Sequence, residues 1–331
     1  MLKLFVPILA LFFIGNILGQ RNVAGTRPDP EGIPTKVHIG LYIIDIESID
    51  NIRQNFTADF VMVMKWVDPR ISAPVGTRLK LKEVWNPDVI LYNLREADMK
   101  MEEVVTVFPG DTIDYIQRYN GTFSTFLDFR EFPFDKQILP ITVVSFTYSP
   151  EDLVFAANRI GIEDRLSISG WDIKPIGEEI GTFDPQFVQG GGIKLSFPRF
   201  DYIFEASRHL NYYWWKVVAP LALIVFLSWA VFYIDPSQVG PQIGVSATSI
   251  LTLIAFLLRL ESILPPVSYL TQMDYFIYSA LVLVFLAYVE ALVSTTNALR
   301  GKKEFAKKID LISRFVYPVL FLIIMLYFWI L

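Results

Sequence analysis

GPQIGVSATSILTLIAFLLRLESILPP, residues 240–266, decides how the rest of the chain is read. A bilayer span needs about 20 mostly apolar residues, and the run from Ile243 to Leu264 supplies them. Yet Ser246, Thr248, Ser249, Thr252, Arg259, Glu261 and Ser262 interrupt it. Polar groups in hydrocarbon are costly and normally face protein or water. At about 100° per residue, Gly244, Thr248, Leu251, Ala255, Leu258 and Ser262 share one narrow stripe. Its ends are small or hydroxylic and its middle is apolar, which suits a water-filled path with a dry constriction. The same pattern suits an ordinary bundle helix whose small residues mark helix contacts. Periodicity alone leaves both readings open.

Working outward, three more apolar segments accompany this one, and helices are expected over about 214–233, 243–264, 275–298 and 310–331. Tyr212, Tyr213, Trp214 and Trp215 form an aromatic cluster where the first span enters the interface. Residues 299–314 carry six Lys and Arg against two acids, which reads as a cytoplasmic loop between spans and a lipid-surface feature rather than a nucleic-acid site. Residues 1–20, with one lysine, an apolar core and small residues near Gly19, read as a secretory signal peptide. Residues 21–211 are then translocated, extracellular or periplasmic, and residues 212–331 form a multi-pass domain in the cell membrane.

The translocated part has β character. Period-two alternation runs through Lys36–Glu47 and Phe56–Trp66, and recurs in MEEVVTVF, TIDYIQRY, QILPITVVSF and IKLSFPRFDYIFEAS. Turn signals such as NPD, FPGD and YNG separate the runs, the pattern of an antiparallel, immunoglobulin-like sandwich of about ten strands. Residues 20–210 hold 28 Asp and Glu against 20 Lys and Arg, a net of −8. The absence of cysteine excludes disulfides, thiol catalysis and cysteine zinc sites. His38 and His209 are the only histidines and lie far apart, and no catalytic constellation surrounds either. Gly190–Gly192 lacks the lysine and helix signal of a phosphate loop. No enzyme, cofactor or metal centre is therefore expected. An acidic sandwich fused without a linker to four spans suggests an external signal driving a membrane event.

Several segments carry a family resemblance. LDFREFPFDKQ (Leu127–Gln137) resembles the signature loop of the pentameric ligand-gated ion channels, the Cys-loop receptor superfamily. Thr125 and Leu139 stand where animal receptors have the two cysteines, so the chain resembles the cysteine-free branch known from prokaryotes. Trp85–Asn93 is similar to the segment leading into the first ligand-binding loop, and the ending Trp66-Val67-Asp68 and Gly170-Trp171-Asp172 are also similar to the family. Arg208, Pro220 and the stretch after Leu264 match its membrane half. The departures are the missing cysteines, the short link before the last span, and an uncharged inner pore mouth.

The resemblance implies a homopentamer with five 240–264 helices around a central pore, an agonist site between extracellular domains, and permeant ions and membrane lipids as the other partners. The stripe Gly244, Thr248, Leu251, Ala255, Leu258 and Ser262 then lines the pore, with Gln242, Arg259 and Glu261 as candidates for selectivity. Asp50, Phe134, Asp135, Arg208 and Pro265 fall where the two domains are coupled. Tyr92, Phe146, Tyr148, Phe183 and Phe187 are candidates for the ligand box, and Gly190–Gly192 would let its last loop close. Val61, Val104 and Ile116 fall on the facing surface of the neighbouring subunit. Aromatic faces attract ammonium groups, so a small amine is the expected agonist, with protons as the alternative and a non-conducting membrane-anchored receptor as a third reading. The acidic outer domain favours weak cation selectivity.

Overall fold

The computed structural model describes residues 25–29, 31–185, 195–260 and 267–330. The segment 1–20 lies outside them, as do Phe187, Gly190–Gly192, Glu261, Ser262 and Pro265.

Alternation in sequence becomes alternation in space. Along Asn55–Val67, Phe56, Ala58, Phe60, Met62, Met64 and Trp66 turn inward while the residues between them face out. Among the described residues twelve strands form: β1 (Thr35–Asp50), β2 (Asn55–Val67), β3 (Arg78–Lys80), β4 (Val89–Leu91), β5 (Leu94–Met99), β6 (Val104–Phe108), β7 (Thr112–Ser124), β8 (Lys136–Ser145), β9 (Leu153–Ala157), β10 (Gly161–Ile162), β11 (Trp171–Phe183) and β12 (Phe197–Arg208). Pieces of two or three residues, such as β3, β4 and β10, bring the number above the ten or so that periodicity reveals.

One sheet has the order β10-β1-β2-β7-β6-β3, with β5 also on β7 and β9 also on β1. The other has the order β11-β12-β8-β4. Their inner faces meet in an aromatic core. Phe56 stacks on Phe123 at 5.4 Å and meets Phe204 of the other sheet edge-on at 5.9 Å. All three are fully buried, and each such burial stabilises by about 1.5–3 kcal/mol. Gly121 lies where β5 crosses β7: a Cβ there would come within 2.9 Å of Leu94 Cδ1 and 3.2 Å of Ala97 Cβ.

Among the described residues four helices long and apolar enough to cross a membrane follow: α1 (Leu210–Tyr233), α2 (Val239–Leu260), α3 (Gln272–Leu299) and α4 (Lys303–Ile330). The described part of α2 alone is ~33 Å long at 1.5 Å per residue, enough for the hydrocarbon core. Pro220 cannot donate to the Lys216 carbonyl, and the turn before it, Trp214–Val218, widens to a π-turn. Pro318 likewise leaves the Arg314 carbonyl of α4 without a helical donor. The Trp229 indole of α1 donates to that carbonyl at 2.9 Å. The basic stretch is not a loop: Lys303, Lys307 and Lys308 belong to the first turns of α4, and only 300–302 link it to α3. Helix formation wins there because Ala306 buries itself and neither Gly nor Pro interrupts residues 302–317.

Candidate functional site

The described chain brings the candidate residues into three places. At the first, the turn before β4 is fastened to β8: the Ser145 hydroxyl donates to the Pro87 carbonyl at 2.6 Å, and Asp88 N–H donates to the Asn86 side chain at 3.0 Å. Asn93 then pins the next residues, donating to the Pro140 carbonyl at 2.8 Å and accepting from Thr142 N–H at 3.1 Å. Tyr92, held between these anchors, meets Phe183 at 4.6 Å and Phe146 at 6.3 Å, and Phe146 meets Phe183 at 5.7 Å. Tyr92 and Phe146 remain 48% and 37% exposed, so the trio opens to solvent. One ammonium group can therefore lie within the ~6 Å cation–π range of all three rings.

Phe197, absent from the sequence candidates, packs on Phe146 at 4.9 Å. It is the cross-strand partner of Phe183 in the β11–β12 pairing, a register that the sequence alone does not fix. Tyr148 does not join the trio. Its hydroxyl accepts from Trp85 Nε1 at 2.8 Å and its ring packs on Trp85 at 5.7 Å, so it belongs to the core. Burial pushes its phenol pKa up, and it stays neutral. On the outward face of β2 and β7, Val61 and Ile116 flank a bidentate pair in which Arg118 donates to Asp59 at 2.9 and 2.6 Å.

The second place is the junction between the halves. Arg208 Nε donates to both carboxylate oxygens of Asp135, at 2.9 and 3.1 Å, with side chains 4% and 1% exposed. The guanidinium lies 4.1 Å from the Trp171 ring centroid and 4.9 Å from that of Phe132. Its remaining donors reach the Asn51 side-chain oxygen Oδ1 at 3.2 Å and the Tyr213 hydroxyl at 3.3 Å. Asn51, not Asp50, is thus the residue of the β1–β2 turn that touches Arg208. Asp50 instead accepts from Ile52 and Arg53 N–H, both at 2.9 Å, and closes its own turn, as a short carboxylate next to free N–H groups tends to do. Phe134 packs on Phe328 and Trp329 near the end of α4, at 5.2 and 5.6 Å.

The signature loop also completes a helix. The first N–H groups of α3 have no partner within the helix. Gln272 N–H donates to the Arg130 carbonyl at 2.9 Å and Met273 N–H to the Phe132 carbonyl at 3.0 Å. The third, from Asp274, is taken by the Thr271 hydroxyl, while Asp274 accepts back from Thr271 N–H, a capping box. The Tyr269 hydroxyl accepts from Phe129 N–H at 3.0 Å.

The third place is the stripe on α2. Gly244, Thr248, Leu251, Ala255 and Leu258 are all exposed on the single subunit, Leu251 and Leu258 at 68% and 65%. Ser246, Ser249, Leu253 and Leu260 are buried against the other helices. Gln242 stands two residues before Gly244, about 200° round the helix. It is fully buried and on the opposite side from the stripe, so its side chain does not reach the mouth of a path along that face. Arg259 is exposed at the outer end of α2.

A family model described as the neurotransmitter-gated ion-channel ligand binding domain matches residues 20–175, and one described as the neurotransmitter-gated ion-channel transmembrane region matches residues 217–304. The chain is 27% identical over 326 residues to a proton-gated ion channel of Gloeobacter violaceus, covering 96% of this chain and 89% of that one. It is 26% identical over 311 residues to the human gamma-aminobutyric acid receptor subunit rho-3, with 89% and 65% coverage. It is 28% identical over 298 residues to the rat glycine receptor subunit beta, with 85% and 59% coverage. The chain thus spans less than two thirds of these animal subunits and most of the bacterial channel.

Proposed function

The chain belongs to the neurotransmitter-gated ion-channel family, a family of multi-pass pentameric ligand-gated channels and not of enzymes, and on that premise we propose that it is a homopentameric channel opened by a small amine. The observation that carries this reading is the trio Tyr92, Phe146 and Phe183, whose ring centroids lie within 6.3 Å of one another and of which Tyr92 and Phe146 are open to solvent. Its chemistry is that of a primary or quaternary ammonium site. Phe197 backs the box by fixing Phe146.

Binding at this edge of the β11–β12 hairpin would act at the junction through β12 itself, because Arg208 is its last residue. The exposed stripe on α2 would line the pore, with Leu251 as its dry constriction. The net charge of −8 over residues 20–210 would concentrate cations above it and give weak cation selectivity.

A second reading rests on the bacterial relative, which is a proton-gated channel: protons would open this channel too, and the aromatic box would be irrelevant. Recording from the full-length channel against an amine panel and a pH series separates the two. Phe146→Ala is expected to remove about 1–2 kcal/mol of amine binding, a roughly tenfold rightward shift, with any acid response unchanged. Unchanged amine activation in Phe146→Ala, or opening by acid with no amine active, overturns the amine reading.

A further inference from the structure

The membrane half holds a buried polar cluster that neither the ligand box nor the junction uses. On α3, Glu290 and Ser294 lie one turn apart on the same face. On α4, Asp310 and Ser313 do the same. The Ser294 hydroxyl donates to Asp310 Oδ1 at 2.6 Å, and the Glu290 carboxyl faces Asp310 and the Ser313 hydroxyl. Asp310 is 1% exposed. Its Oδ2 is buried and receives no hydrogen bond, and both oxygens of Glu290 are buried with the Ser313 hydroxyl as the one donor group that faces them among the described residues. Glu290 stands nine residues before the end of α3, ~14 Å along the helix. Asp310 stands seven residues into α4, ~10 Å along it. Both therefore sit in the cytoplasmic half of the span.

No cation answers them among the described residues. Lys303, Lys307 and Lys308 of α4 are exposed, and Lys303 and Lys307 act on Asp235 of the α1–α2 link. Glu304 is exposed as well. Arg314 donates to the Phe232 carbonyl at 2.9 Å and covers the Tyr233 ring at 4.6 Å. Of the other helices packed on α3, α1 carries only Lys216, in its outer part, and the described part of α2 only Arg259, at its outer end. Two ionised carboxylates here would be desolvated, unpaired and repelling, the costliest of the possible states.

We propose that Glu290 and Asp310 share a single proton, and that the resulting acid–carboxylate hydrogen bond clasps α4 to α3. One proton supplies the missing donor and removes one of the two charges, and such O–H···O⁻ bonds are short and strong. The proton belongs to the pair rather than to either residue. Its loss in alkali would set like charges between the helices and loosen α4, whatever ligand opens the channel.

The test uses the full-length protein in lipid nanodiscs. Infrared spectra at neutral pH are expected to show a carboxylic-acid carbonyl band that disappears in Glu290→Gln and in Asp310→Asn. The folded pair holds a proton that separated carboxyls in water do not, so stability falls as pH rises. The melting temperature of the unsubstituted protein is expected to drop from neutral to alkaline pH. That of Glu290→Gln, whose amide keeps a donor in the acid's place, is expected to stay flat. If Asp310→Asn fails to assemble, Glu290→Gln carries the test alone. Identical acid-region spectra for the unsubstituted protein and Glu290→Gln overturn the proposal. So does a melting temperature that responds to sodium or calcium but not to pH, which makes the pair a metal site.

Discussion

Arg208→Gln tests how the two halves are joined. The substitution removes both Nε contacts to Asp135 and leaves that carboxylate, 1% exposed, with Gln137 Nε2 at 2.5 Å as its remaining side-chain donor. Removing one partner of a buried pair costs about 3–5 kcal/mol, because the other charge stays desolvated. Loss of the guanidinium from the Trp171 face, 4.1 Å away, adds about 0.5–2 kcal/mol. The single variant should therefore melt well below the unsubstituted channel and carry no current. Adding Asp135→Asn removes the orphaned charge, and the double variant should recover most of the lost stability. If the pair transmits movement of the sandwich to α1, the double variant reaches the cell surface as a pentamer, binds agonist, and still conducts little. Thermal melting of purified protein and voltage clamp with surface labelling read the two effects separately. A double variant that gates like the parent refutes the coupling role, and a single variant that neither loses stability nor current refutes the burial argument as well.

Leu251→Ser should wet the α2 stripe and give either a resting leak or a response to less agonist; an unchanged leak and dose–response curve exclude Leu251 as the constriction. In a salt-dilution experiment the reversal potential should follow the cation, since the outer domain is acidic, and a potential that follows chloride refutes this. Trp229→Phe should leave the Arg314 carbonyl without its donor and cost about 0.5–1.5 kcal/mol. That appears as a melting temperature lower by a few degrees, and no change would mean that water replaces the indole.

The sandwich and the four spans were legible because both rest on hydrophobic period, and period is local. Phe56, Phe60 and Trp66 declare an inward face by alternation alone, and the α2 stripe declares itself by the same arithmetic at 100° per residue. What the sequence hid depends on register and on competing local bonds. Phe197 enters the box only because the β11–β12 hairpin sets it opposite Phe183. Tyr148 is one aromatic among several until Trp85 is seen to donate to it. Asp50 and Asn51 are neighbours with similar side chains, and the carboxylate is drawn into its own turn while the amide reaches Arg208. Gln242 stands in a stretch read as an uncharged pore mouth, yet its angle round the helix buries it. The extra turns of α4 were masked by charge, since lysines on an exposed helical face read like a loop.

The first turn of α3 has a consequence for how this chain can be cut and recombined. Two of its N–H donors end on carbonyls of the signature loop, more than a hundred residues earlier in the chain. A membrane half expressed alone, or joined to an unrelated outer domain, begins that helix with two unanswered donors beside an apolar surface. Hybrids divided at residue 209 should therefore assemble only when the incoming domain presents two carbonyls in the places of Arg130 and Phe132. The backbone contact asks nothing of side-chain identity at those positions, so distant outer domains can qualify if their loop has the same path. The boundary that matters for exchange is thus a loop shape rather than the covalent joint between β12 and α1.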